Sequence, residues 1–121
     1  MAGAEVESKI IFVVEDSADL RDLIVLWLTN AGHRVAGVSS AGEAHALLAL
    51  RGFPDVLATD YHLKDENGFA LARSFRRLKP DLPTLIFSGD LPDLPLEPGM
   101  EMLQKPFGPT QLHEKLSRIC G

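Results

Sequence analysis

Apolar positions along the chain follow two alternating periods. Ile10 to Val14 is a short run of apolar, mostly β-branched residues, the pattern of a strand buried on both faces. It stops at Glu15-Asp16-Ser17. Leu20, Leu23, Ile24, Trp27, Leu28 and Ala31 then recur at the spacing of a single helical face. Ser17 or Asp16 can cap that helix, and Gly32 follows its end. Trp27 is expected in the core.

The cycle repeats. Arg34 to Val38 reads as a weaker strand, and Ser40 caps a helix running to about Leu50. Asp55 to Thr59 is a third strand, stopping at Asp60. In the turn beyond it, Asp65 and Glu66 are expected to face solvent, and Gly68 to release the chain into a third helix. Phe69, Leu71, Ala72, Phe75 and Leu78 give that helix its apolar face, and Lys79-Pro80 stops it. Thr84 to Phe87 is a fourth strand, ending at Ser88-Gly89. Residues 90–99, DLPDLPLEPG, hold three prolines and a glycine, which a helix interior does not accommodate. A short strand from Glu101 to Gln104 follows, then Lys105-Pro106-Phe107. Pro109 opens a last helix with Leu112, Leu116 and Ile119 inward. Buried strands alternating with amphipathic helices predict a doubly wound α/β domain, a parallel sheet covered on both faces.

The length of 121 residues fits one domain, with 9–121 folded and 1–8, MAGAEVES, a flexible N-terminal tail. A net charge of −5 argues against nucleic-acid binding by this domain. The Arg76, Arg77, Lys79 cluster is too small to reverse that and reads as solvated helix surface. A single cysteine, Cys120, excludes an internal disulfide and a thiolate metal site. No apolar run approaches the roughly 18 residues that cross a bilayer, and the first residues lack the basic start and apolar middle of a signal peptide. A cytoplasmic setting without membrane contact is expected. The four histidines are scattered, with no metal-ligand pairing on one helix face.

In doubly wound folds the working site lies at the carboxyl ends of the strands. Glu15 and Asp16, Asp60, Ser88 and Lys105 stand there. Taken singly, each is an ordinary cap, turn or surface residue. Together, three carboxylates repel one another unless a cation joins them. An all-oxygen donor set suits a hard ion such as Mg²⁺. A lysine can contact a phosphoryl oxygen or a carboxylate, and a hydroxyl beside Gly89 leaves room for a phosphoryl group. A carboxylate can itself attack phosphorus and form an aspartyl phosphate.

Four segments carry a resemblance: VVEDS after the first strand, TDYHLKDENG after the third, FSG after the fourth and QKPF after the fifth. In this order on a five-unit β/α pattern, the chain resembles a response-regulator receiver domain of two-component signalling over almost all of residues 9–119. The resemblance implies a flavodoxin-like five-stranded sheet of order 2-1-3-4-5. It implies that Asp60 accepts a phosphoryl group from a histidine kinase or histidine phosphotransfer protein, and that the change switches a surface read by a downstream protein. Asp16, Glu15, Asp60 and the backbone carbonyl of His62 would hold Mg²⁺. Ser88 would be the switch hydroxyl and Lys105 the phosphoryl contact. Pro106 fits the family's cis-proline, and His62 and Asp90 sit where the phosphate's lifetime would be tuned. Such a domain is a signalling module, not an enzyme.

The chain departs from the family in several places. Glu15-Asp16 replaces an Asp-Asp pair, Lys64 stands where many receivers carry proline, and Met102 replaces the usual aromatic switch residue. The proline-rich 90–99 segment stands in place of the family's fourth helix, as in an atypical subgroup with that helix shortened or missing, and could be a mobile switch or a plain connector. Two alternatives follow: a pseudo-receiver that binds partners without phosphorylation, and an aspartate-nucleophile phosphatase. The phosphatase needs an acid two residues after its nucleophile, where this chain has His62.

Overall fold

A computed structural model describes residues 7–120. The elements in chain order are β1 (Ile10–Val14), α1 (Ala18–Asn30), β2 (Arg34–Val38), α2 (Ala41–Arg51), β3 (Val56–Asp60), α3 (Gly68–Leu78), β4 (Thr84–Ser88), β5 (Met100–Gln104) and α4 (Pro109–Cys120). The strands form one parallel sheet of order β2-β1-β3-β4-β5. Of the tail expected at 1–8, residues 1–6 lie outside the described residues. Ser8 is tied down, its hydroxyl donating to the Gly32 carbonyl at 2.8 Å.

Alternate residues of each central strand feed two cores. Ile11, Val13, Val56, Ala58, Leu85 and Phe87 face α1 and α4, burying Ile24, Leu28, Leu112 and Leu116. Phe12, Val14, Leu57 and Ile86 face α2 and α3, burying Ala44, Leu71, Ala72 and Phe75. A strand covered on both faces has no polar side to display, so its sequence is an unbroken apolar run. Periodicity overstates the buried face at its margins. Leu23 is 45% exposed and Leu78 75% exposed, because no neighbouring element covers those flanks of α1 and α3. Trp27 is half-buried, its ring edge-on to Phe107 at 6.4 Å.

Helix starts follow side-chain capping. Ser17 Oγ accepts from the Leu20 amide, Ser40 Oγ from Glu43 and Asn67 Oδ1 from Ala70. Asp65 faces solvent as expected and also reaches the start of α2. Its two carboxylate oxygens accept from the Ala41 amide at 3.1 Å and the Gly42 amide at 2.9 Å. Glu66 is half-buried rather than solvent-facing.

Between β4 and β5 the chain runs without a helix. Arg76, expected as solvated helix surface, holds this connection from beneath. It is 5% exposed and donates through Nε to Leu82 O (3.0 Å), through Nη1 to Glu97 Oε1 (2.8 Å) and through Nη2 to Pro98 O (2.7 Å). Leu94 packs on the α2–α3 core, while Leu91 and Leu96 remain exposed.

Candidate functional site

Parallel pairing brings the ends of β1, β3, β4 and β5 to one edge. Val14 pairs with Thr59, Asp60 with Phe87 and Ser88 with Gln104, so the residues at or just past these positions converge. Glu15, Asp16 and Asp60 each place a carboxylate oxygen within 4.8 Å of the others. Lys105, following β5, sets its Nζ 3.1 Å from both Glu15 Oε1 and Asp60 Oδ1. Four of the expected site residues are thus gathered in one place.

Backbone contacts hold the carboxylates there. The Glu15 amide donates to Val38 O, Glu15 Oε2 accepts from the Ser17 amide at 3.1 Å, and Arg21 donates to Glu15 O at 2.8 Å. At Asp60 the Thr59 hydroxyl donates to its carbonyl at 2.9 Å, and the Gly68 amide donates to Tyr61 O. A Cβ on Gly68 would collide with the Asp60 carbonyl oxygen, so only glycine lets α3 begin this close to β3. The Lys105–Pro106 peptide is cis, as expected.

The electrostatics suit a cation held among these carboxylates. Glu15 is almost fully buried, and burial, with the Asp60 charge adding to it, raises its pKa against the opposing Ser17 amide and Lys105. Burial also works against the Lys105 charge, but the Asp60 and Glu15 carboxylates outweigh it and raise the ammonium's pKa. The Lys105–Glu15 contact lies at ion-pair distance without hydrogen-bond alignment, leaving Glu15 Oε1 a buried acceptor with no hydrogen-bond donor. Three carboxylates, one with an orphaned oxygen and none near a soft donor, are a donor set matched to a hard divalent cation such as Mg²⁺.

Ser88, ending β4 next to β3, and His62, two residues past Asp60, both contact Asp90. The Ser88 hydroxyl donates to Asp90 Oδ1 at 2.5 Å, and the same oxygen lies 3.3 Å from His62 Nε2. The Ser88 bond first, and His62 second, hold the Asp90 carboxyl below its usual range. The His62 backbone bridges to Asn67 across the loop. Met102 is half-buried against the α2–α3 core, paired with Ile86. Arg21, and the reach of Asp65 to α2, escaped the sequence reading; each acts through backbone groups that no local pattern marks.

Comparison with known proteins agrees with this geometry. The family model described as the response regulator receiver domain matches residues 11–117. The phosphate regulon transcriptional regulatory protein PhoB of Pseudomonas aeruginosa is 29% identical over 118 residues, 92% of this chain and 51% of that protein. The virulence transcriptional regulatory protein PhoP of Salmonella typhimurium is 36% identical over 78 residues, 64% of this chain and 34% of that protein. The chain therefore spans about half of the length of the first of these curated relatives and a third of the second. A response regulator receiver protein from Sinorhizobium medicae superposes with a TM-score of 0.81 at 29% identity, covering 94% of this chain and 95% of that one. The chemotaxis response regulator CheY4 of Vibrio cholerae superposes with a TM-score of 0.79 at 23% identity, covering 93% and 98%, a likeness of fold. With its carboxylates, lysine and sheet order in the arrangement described above, the chain belongs to the response regulator receiver domain family.

Proposed function

We propose that Asp60 is the phosphoacceptor of a two-component phosphorelay, phosphorylated in a Mg²⁺-dependent reaction by a histidine kinase or histidine phosphotransfer protein. The observation that carries this reading is one lysine bridging two buried carboxylates from different strand ends, Asp60 and Glu15, each at 3.1 Å. An Asp60 carboxylate oxygen attacks phosphorus, the P–N bond of the donor phosphohistidine breaks, and its electron pair leaves with the imidazole. Lys105, already at Asp60, meets the charge of the incoming phosphoryl oxygens. Ser88 is buried at the neighbouring strand end and reaches a phosphoryl oxygen by turning its hydroxyl away from Asp90. Mg²⁺ would be held by Glu15, Asp16, Asp60 and the His62 backbone carbonyl, and when bound would neutralise charge on the transferred group. The domain then acts in the cytoplasm as a signalling module rather than an enzyme, passing the change to a downstream protein through an altered surface.

Incubation with acetyl phosphate and Mg²⁺ is expected to add about 80 Da, the mass of one phosphoryl group. Asp60→Asn is expected to abolish the gain. No gain in the wild type, or a gain that survives the substitution, would overturn the proposal.

A further inference from the structure

A cleft of roughly 290 Å³ opens at the opposite edge of the sheet, between edge strand β2 and the end of α2. Its floor is apolar, with Phe12, Val35, Ala36 and Phe53, and Ile10 beside them is left 44% exposed. Arg34, the first residue of β2, and Arg51, the last of α2, complete the lining. Neither arginine forms an ion pair among the described residues, and no acid lines the cleft. The acid nearest to Phe53 in sequence, Asp55, accepts from the Ile10 amide at 2.7 Å. Lys79 Nζ stands 5.9 Å from the Phe53 ring and adds a third cation to this corner. In a chain of net charge −5, an apolar hollow lined by two arginines, whose one adjoining carboxylate (Asp55) is engaged with the Ile10 amide, is selective ground for an anion.

We propose that this cleft binds a small carboxylate with an apolar body. A guanidinium fork matches a carboxylate in two parallel hydrogen bonds, while Phe12 and Phe53 supply the apolar wall that fixes the rest of the ligand. At roughly 290 Å³ the hollow stands at the lower limit of small-ligand sites, about 300 Å³, which suits a ligand of one or two rings. The cleft lies at the amino ends of β1 and β2, whereas the carboxylate cluster stands at the carboxyl ends of β1 and β3, so the two sites cannot share a ligand. The proposal stands independently of phosphorylation.

The test titrates ¹⁵N-labelled protein with naphthalene-2-carboxylate, its neutral carboxamide, and acetate. Saturable shifts are expected for the carboxylate at Ile10, Arg34 to Ala36 and Arg51 to Phe53. The carboxamide should bind about tenfold more weakly, the effect of losing one charge-assisted contact, and acetate should not saturate. Arg34→Ala with Arg51→Ala should remove the preference for the carboxylate over the carboxamide. Ala36→Leu, which keeps both arginines and fills the floor, should block both ligands. Cross-peaks away from the cleft report that each variant is folded. Absence of saturable shifts, equal affinity for carboxylate and carboxamide, or a preference that survives loss of both arginines would overturn the proposal.

Discussion

Truncating Arg76 tests whether the helix-free connection between β4 and β5 depends on a side chain from α3. The bond from Nε to the buried Leu82 carbonyl contributes about 1.5 kcal/mol, the low end for a charged donor, since Thr84 Oγ1 also donates to that oxygen at 2.9 Å. The partners at Glu97 and Pro98 are exposed, so water replaces much of what is lost there and each counts about 0.5 kcal/mol. Removing two methylenes of the buried stem adds about 1.5 kcal/mol. The net bond contributions above already include most of the guanidinium's desolvation, and relief of the remainder returns about 1 kcal/mol. Arg76→Ala is therefore expected to destabilise by about 3 kcal/mol, and Arg76→Met, which keeps the stem, by about 1.5 kcal/mol. Urea unfolding measures the global loss, with Glu97→Ala as a control expected near 0.5 kcal/mol. Amide exchange adds a local readout. Met100 donates to Glu97 O and Thr84 to Gly99 O, so both amides should lose protection in Arg76→Ala beyond what the global loss explains. A cost below about 1 kcal/mol, or unchanged relative protection at these two amides, would refute the strut.

Asp65→Ala is expected to lower stability by about 1 kcal/mol at pH 7, since it strips acceptors from two amides of α2. Those amides, Gly42 first, depress the Asp65 pKa, so its contribution is present above the unfolded value of 3.8 and fades as pH falls through the lower folded one; wild type and variant should converge under acid in urea titrations. His33 is buried with Nδ1 accepting from the Lys9 amide, and burial first, then the charges of His113 and Lys9, lower its pKa from 6.5. Stability held above that value is lost as pH falls through the folded pKa, and His33→Gln should flatten the urea-midpoint profile between pH 7 and 5. Glu15 has a raised pKa, so its favourable share is full below 4.5 and lost as pH rises through the folded value. Glu15→Gln should therefore raise the thermal midpoint at pH 7 without Mg²⁺ and shrink the rise that Mg²⁺ causes in the wild type; a lower midpoint without the ion would contradict the orphaned-oxygen argument.

The parts of this molecule that can be read from the chain are those in which sequence neighbours share one physical fate. Ile11 to Val14 are buried together because helices cover both faces of the sheet, and the run breaks at Glu15 because the strand ends there. The same logic exposes Asp60, Ser88 and Lys105 as strand-end residues, and a parallel sheet must bring such ends to one edge. The prolines of 90–99 likewise announce that no helix follows β4. What the pattern could not supply was whether a second element covers a given face, and so Leu23 and Leu78 share the phase of buried residues while standing in solvent.

Arg76 marks the boundary between these cases. It falls four residues after buried Ala72, on the inward phase of α3, so its position conflicts with its charge. Reading the trio Arg76, Arg77, Lys79 as one basic patch hid that conflict. An arginine at an apolar phase must find acceptors or carry a desolvation cost of several kcal/mol, which makes it a stronger signal than the charge cluster it was grouped with. Its acceptors lie 6, 21 and 22 residues away, and Asp65 reaches amides 23 and 24 residues away. Ties of that length leave no period in the sequence. They are set by where crossovers return the chain, and crossovers follow from the sheet order rather than from any single segment. The carboxylate site was legible because every member sits at the same kind of place in a repeating unit. The supports of α2 and of the β4–β5 connection were not, because each joins two different kinds of place.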